Sequence, residues 1–191
     1  TRVAHEVVEA MLPCLTEHWG NPSSAYSLAA EPARLIEEAR ERVARLIGAN
    51  SRNIVFTSCG TESNNAALQG ATLANPAKRH VVTTAVEHSA NIKFCRQLEK
   101  RGYEVTHLPV DLDGAIDLCD LQAAIRPDTA IVSIMWANNE TGVLFPIEEI
   151  AAICRSHGVL FHTDAVQVAG KVPIDVRELG VDFLSLSAHK L

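Results

Sequence analysis

The sequence predicts an α/β fold: a three-layer sandwich with helices on both faces of a mainly parallel sheet. Two observations predict it. Short runs such as Ala130-Ile131-Val132-Ser133-Ile134-Met135 are apolar without alternation, as strands buried on both faces are. Amphipathic stretches of helical period lie between them, so strand and helix take turns along the chain. Ligands of such sheets sit beyond the carboxyl ends of the strands, so the residues just after each strand are the first candidates for a site.

The chain opens on helix-like sequence at Thr1-Arg2-Val3-Ala4-His5. Residues 31–47 predict a helix, with Pro32 in its first turn, Gly48 at its stop, and Ile36, Ala39, Val43 and Ile47 on one face. Asn53-Ile54-Val55-Phe56-Thr57 predicts a strand, and a helix begins at about Thr61. The next strand is 80–84, followed by a helix over 90–100 that Gly102 stops. Tyr103 to Val110 is extended, 118–126 helical up to Pro127, and 130–135 a strand. Pro146 opens a helix ending near Gly158. The remaining strands are 159–162 and 181–186. With its last strand so near Leu191 and no strand before its first helix, the sequence reads as cut at both ends, and that final strand would be an exposed sheet edge.

The 191 residues suffice for one domain, or one and part of a second. Apolar residues at 47% and charged residues at 21% argue against disorder. No run approaches the roughly 18 apolar residues of a membrane span. A formal charge of −6 and the lack of a basic face argue against nucleic acid as a partner. The cysteines (Cys14, Cys59, Cys95, Cys119, Cys154) are scattered and form no C-x-x-C, which reads as reduced thiols in a cytoplasmic protein. There is no G-x-G-x-x-G and no Gly-Lys-Ser/Thr, so dinucleotides and nucleoside triphosphates are not expected by those routes.

At Thr57-Ser58-Cys59-Gly60-Thr61-Glu62-Ser63 a strand turns into a helix. Gly60 and Thr61 sit where free backbone N–H groups attract an anion, or where Thr simply caps the helix. His88 lies just past the 80–84 strand and could be an ordinary polar residue. Asn138-Asn139 after the 130–135 strand could build a turn. Asp164 ends an apolar strand, which is costly unless it is paired. His162-Thr163-Asp164 could offer a metal two ligands, but no further ligand cluster is close in sequence, and no metal is expected. Ser187-Ala188-His189-Lys190 comes directly after the last strand. Together these supply an anion cradle, an imidazole, an amide, a carboxylate and an amine. Pyridoxal phosphate asks for that set: a lysine for its Schiff base, a carboxylate for its ring nitrogen, a helix start for its phosphate and a flat group over its ring.

These motifs, with Gly20-Asn21-Pro22-Ser23-Ser24, Ala137-Asn138-Asn139-Glu140-Thr141-Gly142 and His162-Thr163-Asp164-Ala165-Val166-Gln167, resemble the class V, fold-type I pyridoxal-phosphate enzymes. The resemblance is strongest to cysteine desulfurases of the nitrogenase-associated, NifS-like branch, and it spans the chain with the motifs in order. It implies that residues 1–191 are part of a pyridoxal-phosphate-binding large domain. It further implies that Lys190 forms the Schiff base and moves the α-proton, that Asp164 pairs with the pyridine nitrogen, and that Gln167 and Asn139 meet the ring hydroxyl. His88 would stack on the ring and transfer protons, and Gly60, Thr61, Ser187 and His189 would hold the phosphate. Asn21 to Ser24 receive no catalytic role. The family reaction takes sulfur from L-cysteine, leaving L-alanine and an enzyme persulfide that feeds an iron–sulfur scaffold protein, and family members are homodimers associated with nitrogen fixation.

Three departures stand against the family pattern. The chain stops one residue after Lys190, before the small domain, the persulfide cysteine loop and the arginine that grips the substrate carboxylate. None of the five cysteines matches that loop, and Cys59 reads as a small buried thiol. An Asp-x-Asn-Ala-Thr-like first strand is missing, and Tyr26 stands where the family often has histidine, a feature shared with selenocysteine lyases. The alternatives are therefore a selenocysteine lyase or another class V enzyme and, outside enzymes, a non-catalytic binding or assembly fragment.

Overall fold

A computed structural model describes residues 2–191. Its strands are β1 (His80–Thr84), β2 (Glu104–Leu108), β3 (Thr129–Ser133), β4 (Leu160–Asp164) and β5 (Phe183–Ser185). They form one all-parallel sheet in the order β2-β1-β3-β4-β5. The helices are α1 (His5–Thr16), α2 (Ala30–Leu46), α3 (Gly60–Ala74), α4 (Ser89–Lys100), α5 (Leu118–Ala124), α6 (Ile147–Ser156) and α7 (Val176–Leu179). The chain runs outward from β1 to β2, then crosses back to β3. The order therefore reverses between β1 and β3, the place where such sheets open a crevice.

α3 and α4 pack on one face of the sheet, and α5, α6 and α7 on the other. The two-residue repeat of a strand then divides the core. Val81 and Ile131 meet Leu68, Ala71 and Leu98 on the α3 side. Val82, Val132 and Phe161 meet Ile150 and Cys154 on the α6 side. β1 and β3 are buried at every position, which explains the consecutive apolar residues Val81-Val82 and Ala130-Ile131-Val132, and their polar ends are buried as well. Each fully buried Ile or Phe contributes about 1.5–3 kcal/mol.

The structure corrects several expectations. Residues 53–57 form no strand: a 3-10 turn occupies Ser51–Asn53, and the chain beyond it is extended without a ladder. Val55 is 79% exposed and Phe56 49%, because no strand lies beside them to complete a pair. α2 buries only half of its expected stripe. Ile47, just past its end, is buried and Val43 half-buried, whereas Ile36 and Ala39 are exposed; the buried residues within the helix are Pro32 and Ala44. The helix packs on the 3-10 turns at either end of it rather than on the sheet. α7, four residues capped by Asp175, is too short for periodicity to reveal. β5 lies at the sheet edge, as expected of the last strand. Among the described residues no helix is long and apolar enough to cross a membrane.

Candidate active site

The carboxyl ends of β1, β3, β4 and β5 and the start of α3 converge on a cavity of about 1210 Å³. Asp164, the last residue of β4, is 6% exposed in its wall. One of its oxygens accepts from Asn64 Nδ2 at 2.6 Å and the other from the Val166 N–H at 3.0 Å. Among the described residues no cationic side chain pairs with it. A buried carboxylate with no cation is costly, even when it is hydrogen-bonded.

Below Asp164 runs a buried polar chain. Ser133 Oγ lies 2.8 Å from His162 Nδ1, His162 Nε2 lies 3.0 Å from Ser185 Oγ, and Ser185 Oγ lies 2.8 Å from Ser63 Oγ. His162 and Asp164 are two residues apart on β4 and share a face, so both meet α3 through its neighbouring Ser63 and Asn64. Burial pushes the His162 imidazole down to about 3, so its ring is neutral.

The first helical bond of α3, from Ser63 N to Cys59 O, leaves the N–H groups of residues 60–62 without helical acceptors, and no side chain caps the helix. With the helix dipole behind them they suit an anion. A Cβ on Gly60 would come within 3.2 Å of Val166 Cγ2 and 3.7 Å of Ser187 Cβ, so glycine lets the helix start press against the loops after β4 and β5. Cys59 is exposed, not buried as its size and apolar character suggested. The Glu62 N–H, and after it the Ser58 hydroxyl, hold its thiol below the ordinary range.

The opposite wall comes from β1 and β3. His88 caps α4, its Nδ1 accepting from the Ala90 N–H at 3.2 Å, so a neutral ring carries its proton on Nε2. Asn138 builds the turn after β3. Its Oδ1 accepts from the N–H groups of Glu140 and Thr141, both at 2.9 Å, and its Nδ2 donates to Val86 O at 3.0 Å. That leaves Asn139 to line the cavity, with its Nδ2 2.8 Å from Glu140 Oε1. Glu87 is 5% exposed, and burial pushes its carboxyl up to about 7.

Lys190 sits in the 3-10 turn after β5, and among the described residues it forms no ion pair. Lys171 Nζ donates to the carbonyls of Lys190 at 3.1 Å and Gln167 at 3.2 Å, joining the loops after β4 and β5. The aminotransferase class-V family pattern matches residues 1–191. The chain belongs to the class V aminotransferase family.

Cysteine desulfurase 2 of Trichormus variabilis is 54% identical over 191 residues, all of this chain and 48% of that protein. Cysteine desulfurase NifS of Azotobacter vinelandii is 49% identical over 192 residues, again 48% of its length. Among solved structures, SspA in complex with cysteine superposes with a TM-score of 0.96 at 39% identity, covering all of this chain and 55% of that one. The chain spans about half the length of the curated relatives it matches.

In this class V chain the cavity wall includes Gly60, Thr61, His88, Asn139, Asp164, Gln167, Ser187, His189 and Lys190, every site residue expected from the sequence. Asn21 to Ser24 lie outside it. The Tyr26 hydroxyl accepts from the Asn21 N–H at 3.0 Å, so this tyrosine organises its own loop. Sequence reasoning missed Asn64, Glu87 and the chain from Ser133 to Ser63. The available signals were Asn64 one helical turn beyond Thr61 and a carboxylate directly before His88.

Proposed function

We propose that this chain binds pyridoxal phosphate and forms part of the large domain of a cysteine desulfurase, whose whole protein takes sulfur from L-cysteine and leaves L-alanine and an enzyme persulfide. The observation that carries the reading is Asp164: a buried carboxylate that has no cationic partner among the described residues, in the same cavity as a lysine that likewise forms no ion pair among them and the open start of a helix. A protonated pyridine nitrogen is the cation it lacks. The phosphate matches the N–H groups of residues 60–62, which have no helical acceptors, with Thr61, Ser187 and His189 beside them. When bound, the cofactor supplies an electron sink for charge at the substrate α-carbon.

The chain's own residues do the rest. Asp164 keeps the ring nitrogen protonated, with Asn64 and the Val166 N–H holding its carboxylate in place. Lys190 provides the amine that attaches the cofactor and then carries the α-proton. Asn139 and Gln167 hold the ring hydroxyl. His88 covers the ring and offers the proton on Nε2. The names of its relatives support L-cysteine as substrate; an iron–sulfur scaffold protein as sulfur acceptor and a homodimer rest on the family resemblance. The five free thiols support the cytoplasm.

The test is to add pyridoxal phosphate to the full-length protein, reduce with borohydride and map the adduct by peptide mass spectrometry. A visible absorption band and an adduct on Lys190 are expected. A colourless protein, or an adduct on another lysine, overturns the reading and favours a non-catalytic fragment. Turnover of cysteine against selenocysteine then separates a desulfurase from a selenocysteine lyase.

A further inference from the structure

Glu87 takes no part in the chemistry assigned above, yet it is 5% exposed and has no cationic partner among the described residues. Its donors come from three places. Oε1 accepts from the Thr84 hydroxyl at the end of β1 and from the Met135 N–H beyond β3, both at 2.9 Å. Oε2 accepts from Asn91 Nδ2 in α4 at 3.0 Å. The residue after Glu87 is His88, and the segment that begins at Met135 carries Asn139. A second tie, from Asn138 Nδ2 to Val86 O, joins the same two loops. They flank the crevice where the strand order reverses.

We propose that Glu87 is a positioning residue whose carboxylate locks the His88 loop to the Asn139 loop, so that the two groups facing the ring keep a fixed separation. What those groups face rests on the pyridoxal-phosphate reading. The lock itself does not, because it can be measured without cofactor. It depends on reach rather than charge. Gln at 87 keeps an oxygen for Thr84 and Met135, and its amide can donate to Asn91 Oδ1, a buried acceptor that has no partner among the described residues, once Asn91 turns over. Asp at 87 keeps the charge but is one methylene too short to span both loops.

The experiment is hydrogen exchange in the cofactor-free full-length protein, read at the Met135 amide, with Val82 and Val132 as core references. Glu87→Gln should hold Met135 exchange within about threefold of the parent. Glu87→Asp should speed it at least tenfold with the core references unchanged. The proposal is overturned if Glu87→Asp exchanges like the parent, if Glu87→Gln is as fast as Glu87→Asp, or if the core loosens equally. A parallel titration with pyridoxal phosphate should show weaker binding for Glu87→Asp than for Glu87→Gln, and equal binding would count against the lock. If the parent fails to take up the cofactor, the cofactor reading falls, while the exchange comparison still decides the role of Glu87.

Discussion

Asp164 and Lys190 line one cavity from very different surroundings. The Asp164 wall is buried and knitted together: α3 reaches it through Asn64 and Ser63, and a line of hydroxyls around a neutral histidine runs beneath it. The Lys190 wall is half-open, and among the described residues the side chains of Ser187, His189 and Lys190 enter no hydrogen bond, although Lys171 steadies the backbone. Fixed dipoles belong where a charge must be held through a reaction, since reorganising them would cost part of the barrier reduction. A covalent attachment point needs freedom to leave and return. On the proposed reading, the difference separates a preformed electrostatic wall from an uncommitted, reactive one.

The sharpest way to break this comparison is at the open wall. Lys190→Ala should remove the borohydride-stable adduct entirely while leaving the melting curve of the cofactor-free protein unchanged. A reducible lysine adduct that persists would contradict it. Asp164→Asn attacks the knitted wall and should cost the full enzyme a hundred- to thousandfold in turnover, about 3–4 kcal/mol, with cofactor still bound. Steady-state kinetics beside absorption spectra check this, and near-parental turnover would refute the electrostatic role.

The third effect is a pH dependence. The Glu87 carboxyl is raised from 4.5 to about 7 on folding, so the folded state favours its protonated form. Its contribution to stability is fully present below about 4.5 and is lost as pH rises to about 7, a swing of about 3 kcal/mol. His162, lowered from 6.5 to about 3, acts in the opposite sense: its contribution is present above 6.5 and is lost as pH falls toward 3. The difference between the parent and Glu87→Gln cancels the histidine. Denaturant midpoints over this range should therefore show the parent losing ground to the variant as pH rises, and a flat difference would contradict burial as the cause. Smallest is Asn64→Ala, which strips a donor from a buried carboxylate and should cost about 1–3 kcal/mol of stability. Cofactor binding should restore part of this loss, which thermal melts with and without pyridoxal phosphate would measure.

The alternation of apolar runs and amphipathic stretches made the sheet legible, because strands buried on both faces set apolar residues side by side instead of alternating them with polar ones. The cavity was legible because parallel sheets open their crevices at strand ends, so scanning those ends met Asp164, His88 and Lys190, which line it. What stayed hidden depends on neighbours. Residues 53–57 have the composition of a strand but lack a strand to pair with. Ile36 and Ala39 have the spacing of a core face but no sheet beneath them. Asn64 and Glu87 are ordinary polar letters until folding brings them against a carboxylate and a backbone amide more than forty residues away.

Cys59 offers a practical handle. It and Cys119 are both exposed, yet the start of α3 favours the thiolate at Cys59, while Asp117 raises the thiol of Cys119. In a Cys14→Ser variant, which removes the third exposed thiol, an alkylating fluorophore added in small amount near neutrality will therefore mark Cys59 ahead of Cys119. The dye then stands at the mouth of the anion cradle, where its emission becomes an optical gauge of ligand arrival that needs no turnover.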